Sequence, residues 1–357
     1  MKNVSLTPLN LHTEILDHLT RLSTAHTTLQ QLNEIDTANT ACEILYEHDG
    51  LALRYYDASP FTNAPKKAPI FICYALVNRW YMLDLDPDRS FVQHLLTEGH
   101  DLYVLDWGYP DITDQFLDLS DYIDDRLATC IEQACNHANI SKINLLGVCQ
   151  GGVLALCFSA LYPERINRLI LCVTPVDFHT PDNALRALTH QIDAVKLSNT
   201  FGNIPGRFLS QTFAHLTPLK QSIDKQLHLI SACQNTTSAK RFLRMEKWIN
   251  DCPDQAAAAF LEFQNLCFKD NALMNNCMKI GAQTIDLKAL KAPILNVLGK
   301  HDHLVPPASS KALKGLLPAN IDYSEYEVEA GHIGVFVSAK SLKTVPAHIS
   351  KWLCSDE

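Results

Sequence analysis

The thirteen residues from Asn144 to Leu156, NLLGVCQGGVLAL, restrict the fold more than any other part of the chain. An apolar strand runs into a tight turn flanked by Gly147 and Gly151, and a helix rich in small and apolar residues starts directly after it. Glycine at those two positions removes the side chains that would hold the strand and helix backbones apart, and Cys149 is left at the apex. The plain alternative is a glycine-rich strand-to-helix turn built around a packing cysteine.

The surrounding sequence repeats the same strand-to-helix logic. Beyond Lys67 come the apolar run APIFICYALV, a helical segment from Phe91 to Glu98, the run DLYVLDW and a helix from Tyr122 to Ala138. INLLGVCQGG, a helix from Gly152 to Tyr162, and INRLILCVTPV follow. This alternation predicts an α/β fold with a mainly parallel central sheet covered by helices on both faces, and functional groups at the carboxyl ends of its strands. From Asp177 to about Asp286 the alternation stops, and helical stretches such as SAKRFLRMEKWI mix with turn-rich apolar sequence such as NTFGNIPGRFLSQTF. Strands resume at APILNVLGKHDHLVPP and DYSEYEVEAGHIGVF. The expected organisation is therefore a core over residues 67–177 and 287–357, a mainly helical cap inserted at 178–286, and an N-terminal helix and hairpin over 1–66. In that first part Ile15, Leu19, Leu22, Leu29 and Leu32 suggest an amphipathic helix, packed on its own domain or offered to a partner, and Asp49-Gly50 turns a hairpin.

Composition excludes several function classes. The 357 residues carry a formal net charge of −9 with their basic residues scattered singly, which argues against a general nucleic-acid partner. No secretory signal and no apolar run of membrane-spanning length are visible, so a cytoplasmic protein without a membrane span is expected. Twelve cysteines form neither a C-x-x-C pair nor a zinc-spaced Cys/His cluster, so neither metal nor disulfide framework is expected. Cys73, Cys157 and Cys172 lie in apolar runs and read as core residues.

A thiol at such an apex needs a base, and the base needs a group to fix its tautomer. Asp302 follows the strand ILNVLG, and His332 follows YSEYEVE. The order Cys149, Asp302, His332, each just past a strand, is that of the α/β-hydrolase nucleophile elbow and its partners. His303 is a rival base, read instead as a pocket or supporting residue because it points away from Asp302 along an extended chain. Asp106 also ends a strand but precedes the turn, and reads as structural. An oxyanion hole would use the backbone N–H of Gln150 and, from the loop after an early strand, that of Val77.

Over about Leu16 to Trp352 the chain resembles the catalytic subunit of class III polyhydroxyalkanoate synthases. The resemblance rests on YALVNRWYMLDL, LYVLDWGYPD, NLLGVCQGG, VTPVDFHTPDN, GNIPG, FLRMEKWI, DHLVPP and GHIGVFVS. It implies an α/β-hydrolase fold that polymerises (R)-3-hydroxyacyl-CoA, typically 3-hydroxybutyryl-CoA, with release of CoA and no cofactor. It also implies Cys149 as acylated nucleophile, His332 as general base and Asp302 as third catalytic residue, with a second duty for Asp302 in activating the attacking 3-hydroxyl left open. A non-catalytic companion subunit, a homodimer and residence on cytoplasmic polyester granules are further implications. A cysteine thioesterase or esterase of the same fold and a non-catalytic binding module are the competing readings.

Overall fold

A computed structural model describes residues 8–189, 192–214 and 225–355. Parts of the expected cap, 190–191 and 215–224, lie outside the described residues, as do 1–7 and 356–357 of the expected end regions.

Eight strands make the central sheet: β1 (Glu43–His48), β2 (Leu51–Tyr56), β3 (Lys67–Cys73), β4 (His100–Asp106), β5 (Ile143–Val148), β6 (Ile166–Cys172), β7 (Ile294–Gly299) and β8 (Tyr323–Val328). Their spatial order is β1-β2-β4-β3-β5-β6-β7-β8. β4, β3, β5, β6, β7 and β8 pair in parallel, and only the β1–β2 hairpin joins antiparallel, with β2 paired to β4. The hairpin turns at Asp49 and Gly50, both with positive φ, and so extends the core sheet instead of forming a separate N-terminal unit.

Alternate side chains of the strands feed two buried layers, as a sheet covered on both faces requires. Phe71, Leu145 and Leu169 face one layer, with Val153 and Leu156 of α4 (Gln150–Leu161) and Ile131 of α3 (Ala128–Ala138). Ile70, Leu146 and Ile170 face the other, with Leu95 of α2 (Phe91–Thr97) and Val345 of the C-terminal helix Ala339–Leu353. α4 is buried from Gln150 to Ala160, which accounts for its uniformly apolar, small-residue sequence.

The N-terminal helix α1 (Pro8–Gln30) packs on cap helices α8 (Lys225–Ala232) and α9 (Thr236–Asn250). Its contact uses small side chains, Ala25 against Cys233 and Ala239, and Gln234 donates to the Arg21 carbonyl at 3.1 Å. Ile15, Leu16, Leu19 and Leu22 consequently point outward at 40–56% exposure.

Among the described residues of 178–286 the α-helices are α5 (Ala184–Thr189), α6 (Ala194–Phe201), α7 (Gly206–Ala214), α8, α9 and α10 (Ala257–Phe263). The stretch NTFGNIPGRFLSQTF is more helical than its turn residues suggest. The Asp193 side chain caps α6 at the Lys196 N–H, and Gly202, at φ 72°, ends it before α7 begins. Residues 256–285 are not lifted off the core. Ala256, Phe263, Cys267, Met278 and Ile285 join the same buried layer as α3 and α4.

Candidate active site

β5 delivers Cys149 at the carboxyl edge of the sheet, with φ 52° and ψ −119°, a backbone conformation unusual for a residue with a side chain. The turn survives because its neighbours lack side chains. A Cβ on Gly147 would lie 2.5 Å from the Gly152 Cα, and one on Gly151 would lie 2.4 Å from the carbonyl oxygens of both Cys73 and Tyr74. The Cys149 N–H donates to the Cys172 carbonyl at 2.9 Å, tying the apex to the next strand.

Asp302 and His332 arrive from the loops after β7 and β8. His332 Nδ1 donates to Asp302 Oδ2 at 2.6 Å, and Asp302 Oδ1 accepts the N–H groups of Leu304 and Val305, each at 2.9 Å. The Asp302 side chain is fully buried, and both its oxygens are occupied. With Nδ1 so engaged, Nε2 is left for the Cys149 sulfur, whose charge acts on the ring. Burial disfavours charge on that ring, but the Cys149 sulfur and the Asp302 carboxylate outweigh it and raise His332 to about 10.

The environment of the other thiols is different. Burial, with the Asp124 charge adding to it, pushes Cys157 up to about 12, and Cys73 and Cys172 also lie well above the ordinary thiol range. Cys130 is likewise raised to about 12 by burial. These thiols stay protonated and inert, whereas Cys149 is half-buried beside an imidazolium.

Gln150 opens α4, so its N–H is among those a helix start leaves unpaired. Its side chain has a further function that the sequence did not reveal: Oε1 accepts the Leu76 N–H at 3.1 Å and pins the loop after β3 against the turn. That bond removes Leu76 as an oxyanion donor, while the next amide, Val77, bonds no acceptor among the described residues. His303 is exposed and outside the Cys149–His332–Asp302 group. Asp106 is held by Arg79 at 2.8 Å, by Arg54 at 3.1 Å and by the Gly108 N–H at 3.0 Å, the structural role expected of it.

α9 lies over this edge of the sheet. The Trp248 indole donates to the Arg79 carbonyl at 2.8 Å, Asn78 donates to the Trp248 carbonyl at 3.2 Å, and Asp251 accepts from the Tyr81 and Tyr109 hydroxyls at 2.7 and 2.9 Å. The contacts of Asp251 and Trp248 had no local sequence signal, because their partners lie about 140 to 170 positions away in the chain, although Trp248 belongs to the stretch FLRMEKWI.

Comparison with known proteins bears on what such a site belongs to. The family model for the alpha/beta hydrolase fold matches residues 68–339, and that for the poly-beta-hydroxybutyrate polymerase (PhaC) N-terminus matches residues 10–95. The poly(3-hydroxyalkanoate) polymerase subunit PhaC of Allochromatium vinosum is 41% identical over 350 residues, covering 98% of each chain. The chain belongs to the poly(3-hydroxyalkanoate) polymerase subunit family. The PhaC of Synechocystis is 40% identical to this polymerase-family chain, covering 96% of it and 92% of the relative. Among solved structures, a Paleococcus ferrophilus monoacylglycerol lipase overlays with a TM-score of 0.52 at 16% identity, covering 86% of the polymerase-family chain and 99% of the lipase. That likeness speaks for the α/β-hydrolase fold alone.

Proposed function

We propose that the protein polymerises (R)-3-hydroxyacyl-CoA, in the first place 3-hydroxybutyryl-CoA, into polyhydroxyalkanoate with release of CoA, through an acyl group carried on Cys149. The observation that carries this reading is the Cys149 thiol at the strained turn, coupled by charge to an imidazole that is held on its far side by Asp302 and raised to about 10. The Cys149 sulfur attacks the thioester carbonyl, and the N–H groups of Gln150 and Val77 receive the developing oxyanion. The C–S bond to CoA breaks, and the leaving thiolate takes the proton held on His332 Nε2. His332, now neutral, removes the proton from the 3-hydroxyl of a second hydroxyacyl unit. That oxygen attacks the Cys149 thioester, the bond to sulfur breaks, and an ester lengthened by one unit forms. A thiol suits this cycle because exchanging one thioester for another is nearly balanced, whereas an oxygen ester on serine would be a poorer donor.

The occupied oxygens of Asp302 favour one of its two candidate duties. With Oδ1 on two backbone amides and Oδ2 on His332, the buried carboxylate is set to orient and charge the imidazole, not to contact the substrate hydroxyl. α9 and its contacts to the Asn78–Tyr81 loop supply the cover that keeps water from the acyl thioester. The family relationship supports a companion subunit, and the outward apolar face of α1 supports a contact surface there. Residence on cytoplasmic granules and homodimer formation belong to the same proposal. No helix among the described residues is long and apolar enough to cross a membrane.

The test is CoA release from 3-hydroxybutyryl-CoA by the wild type and two alanine variants, with and without a co-expressed companion subunit. Cys149→Ala is expected to abolish release, and Cys130→Ala, a buried thiol in the α3 layer, to retain most of it. Equal loss from both would remove Cys149 from its assigned role.

A further inference from the structure

A cavity of about 250 Å³ opens between α9, the turn at residues 85–89 and the short helix Gly334–Val337 that follows His332. Its apolar wall is formed by Leu85, Phe242, Met245 and Val337, and its polar wall includes Arg89 and Arg241. Asp86, the carboxylate in the lining, is already engaged by Arg244 at 2.6 Å. Among the described residues Arg241 reaches only Asp88 and Asp86, at 3.5 and 3.7 Å, and its buried Nε has no hydrogen-bond partner there. Arg89 makes no ion pair among the described residues. Two guanidinium groups with donors to spare thus stand beside a phenylalanine ring that has no aromatic partner there.

We propose that this cavity receives the phosphorylated nucleotide end of the CoA thioester, an inference that rests on the acyl-CoA reading above. Planar guanidinium groups bind phosphate oxygens in pairs, and an unstacked aromatic face suits a purine. The position agrees with the length of the ligand. Ser238, Arg241, Met245 and Trp248 follow one another on one face of α9, and Trp248 is bonded to the loop that holds Leu76 and Val77 at the Cys149 turn. Arg241 precedes Trp248 by seven residues, about 10 Å of helix axis. The pantetheine arm has twelve bonds between sulfur and phosphate oxygen, the backbone length of about four extended residues or about 14 Å. An arm of that length exceeds the helix run from Arg241 to Trp248, which is bonded to the loop that leads to Val77 at the turn.

The experiment has a binding arm and a kinetic arm. Adenosine 3′,5′-bisphosphate, which lacks the thioester, is titrated calorimetrically into the wild type, Arg89→Gln, Arg241→Gln and the charge-retaining Arg89→Lys. Binding to the wild type, weakened roughly tenfold by each glutamine variant and less by Arg89→Lys, is the expected result, given the usual worth of a charge-assisted hydrogen bond. No binding to the wild type, or binding indifferent to all variants, overturns the site. In the kinetic arm, the ratio of kcat/KM for 3-hydroxybutyryl-CoA to that for 3-hydroxybutyryl-pantetheine is expected to fall at least tenfold in the glutamine variants, through KM. An unchanged ratio, with both substrates slowed alike, shows a structural effect and overturns the assignment. Bisphosphate binding that depends on Arg89 and Arg241, in a wild type that turns over neither thioester, upholds the site and overturns the acyl-CoA reading alone.

Discussion

What sets Cys149 apart from the other cysteines is its company. Burial holds a thiol protonated, as it does Cys157 and Cys130, the latter even beside the Arg126 charge, whereas Cys149 is coupled to a histidine raised to about 10. Because burial opposes that charge and Cys149 is the first contributor supporting it, Cys149→Ala is expected to let His332 lose its proton at lower pH than the wild type. Histidine NMR titration checks this, and an unchanged titration would break the link between the two. The sign for stability follows. A histidine raised from 6.5 contributes stability that is fully present below its unfolded value and is lost as pH rises through about 10. Gly151 is the second residue-scale test. A methyl group there meets two carbonyl oxygens at 2.4 Å, so Gly151→Ala is expected to cost about 1 to 3 kcal/mol in denaturant unfolding and to disturb the turn. Cys149, Asp302 and His332 were candidates in the sequence because each lies within a few residues of the end of an apolar strand. The Gln150 side-chain bond to Leu76 could not be read there, since its partner lies 74 positions earlier on another strand's loop.

At the scale of elements, α9 is the piece that joins cap to core. Arg244, 7% exposed, donates to Asp86 at 2.6 Å, to the Asp36 carboxylate at 2.7 Å and to the Asp36 carbonyl at 2.9 Å. Removing one partner of a buried ion pair leaves the other uncompensated, so Arg244→Ala is expected to lose about 3 kcal/mol in urea unfolding. α1 behaves in the opposite way. Its small residues make the contact and its leucines face outward, so Leu19→Glu is expected to change stability by no more than about 0.5 kcal/mol, and a large drop in melting temperature would contradict that packing. The apolar spacing of α1 was visible in the sequence, but not which face would be buried, because Ala25 finds its partners Cys233 and Ala239 only through the tertiary fold. The insertion was legible as a break in strand alternation. That residues 256–285 return to the core was not, since α10 and a strand-covering helix have the same apolar spacing.

For the whole molecule, parallel strands bring three distant loops to one edge of the sheet, and the strand order makes Cys149, Asp302 and His332 neighbours although 183 positions separate the first from the last. The alternation of strands and helices was enough to infer a doubly covered sheet. The placement of β4 between β2 and β3 depends on pairing that no local pattern encodes. The same fold carries a lipase among its solved relatives, so the sulfur at the turn and the exclusion of water, not the fold, must decide whether an acyl group passes to water or to another hydroxyacyl chain. The direct measurement is incubation of the purified protein with (R)-3-hydroxybutyryl-CoA, followed by weighing of insoluble polyester and mass spectrometry of the Cys149 peptide. Polyester together with a 3-hydroxybutyryl adduct on Cys149 is the expected result. Free 3-hydroxybutyrate without polymer would contradict it.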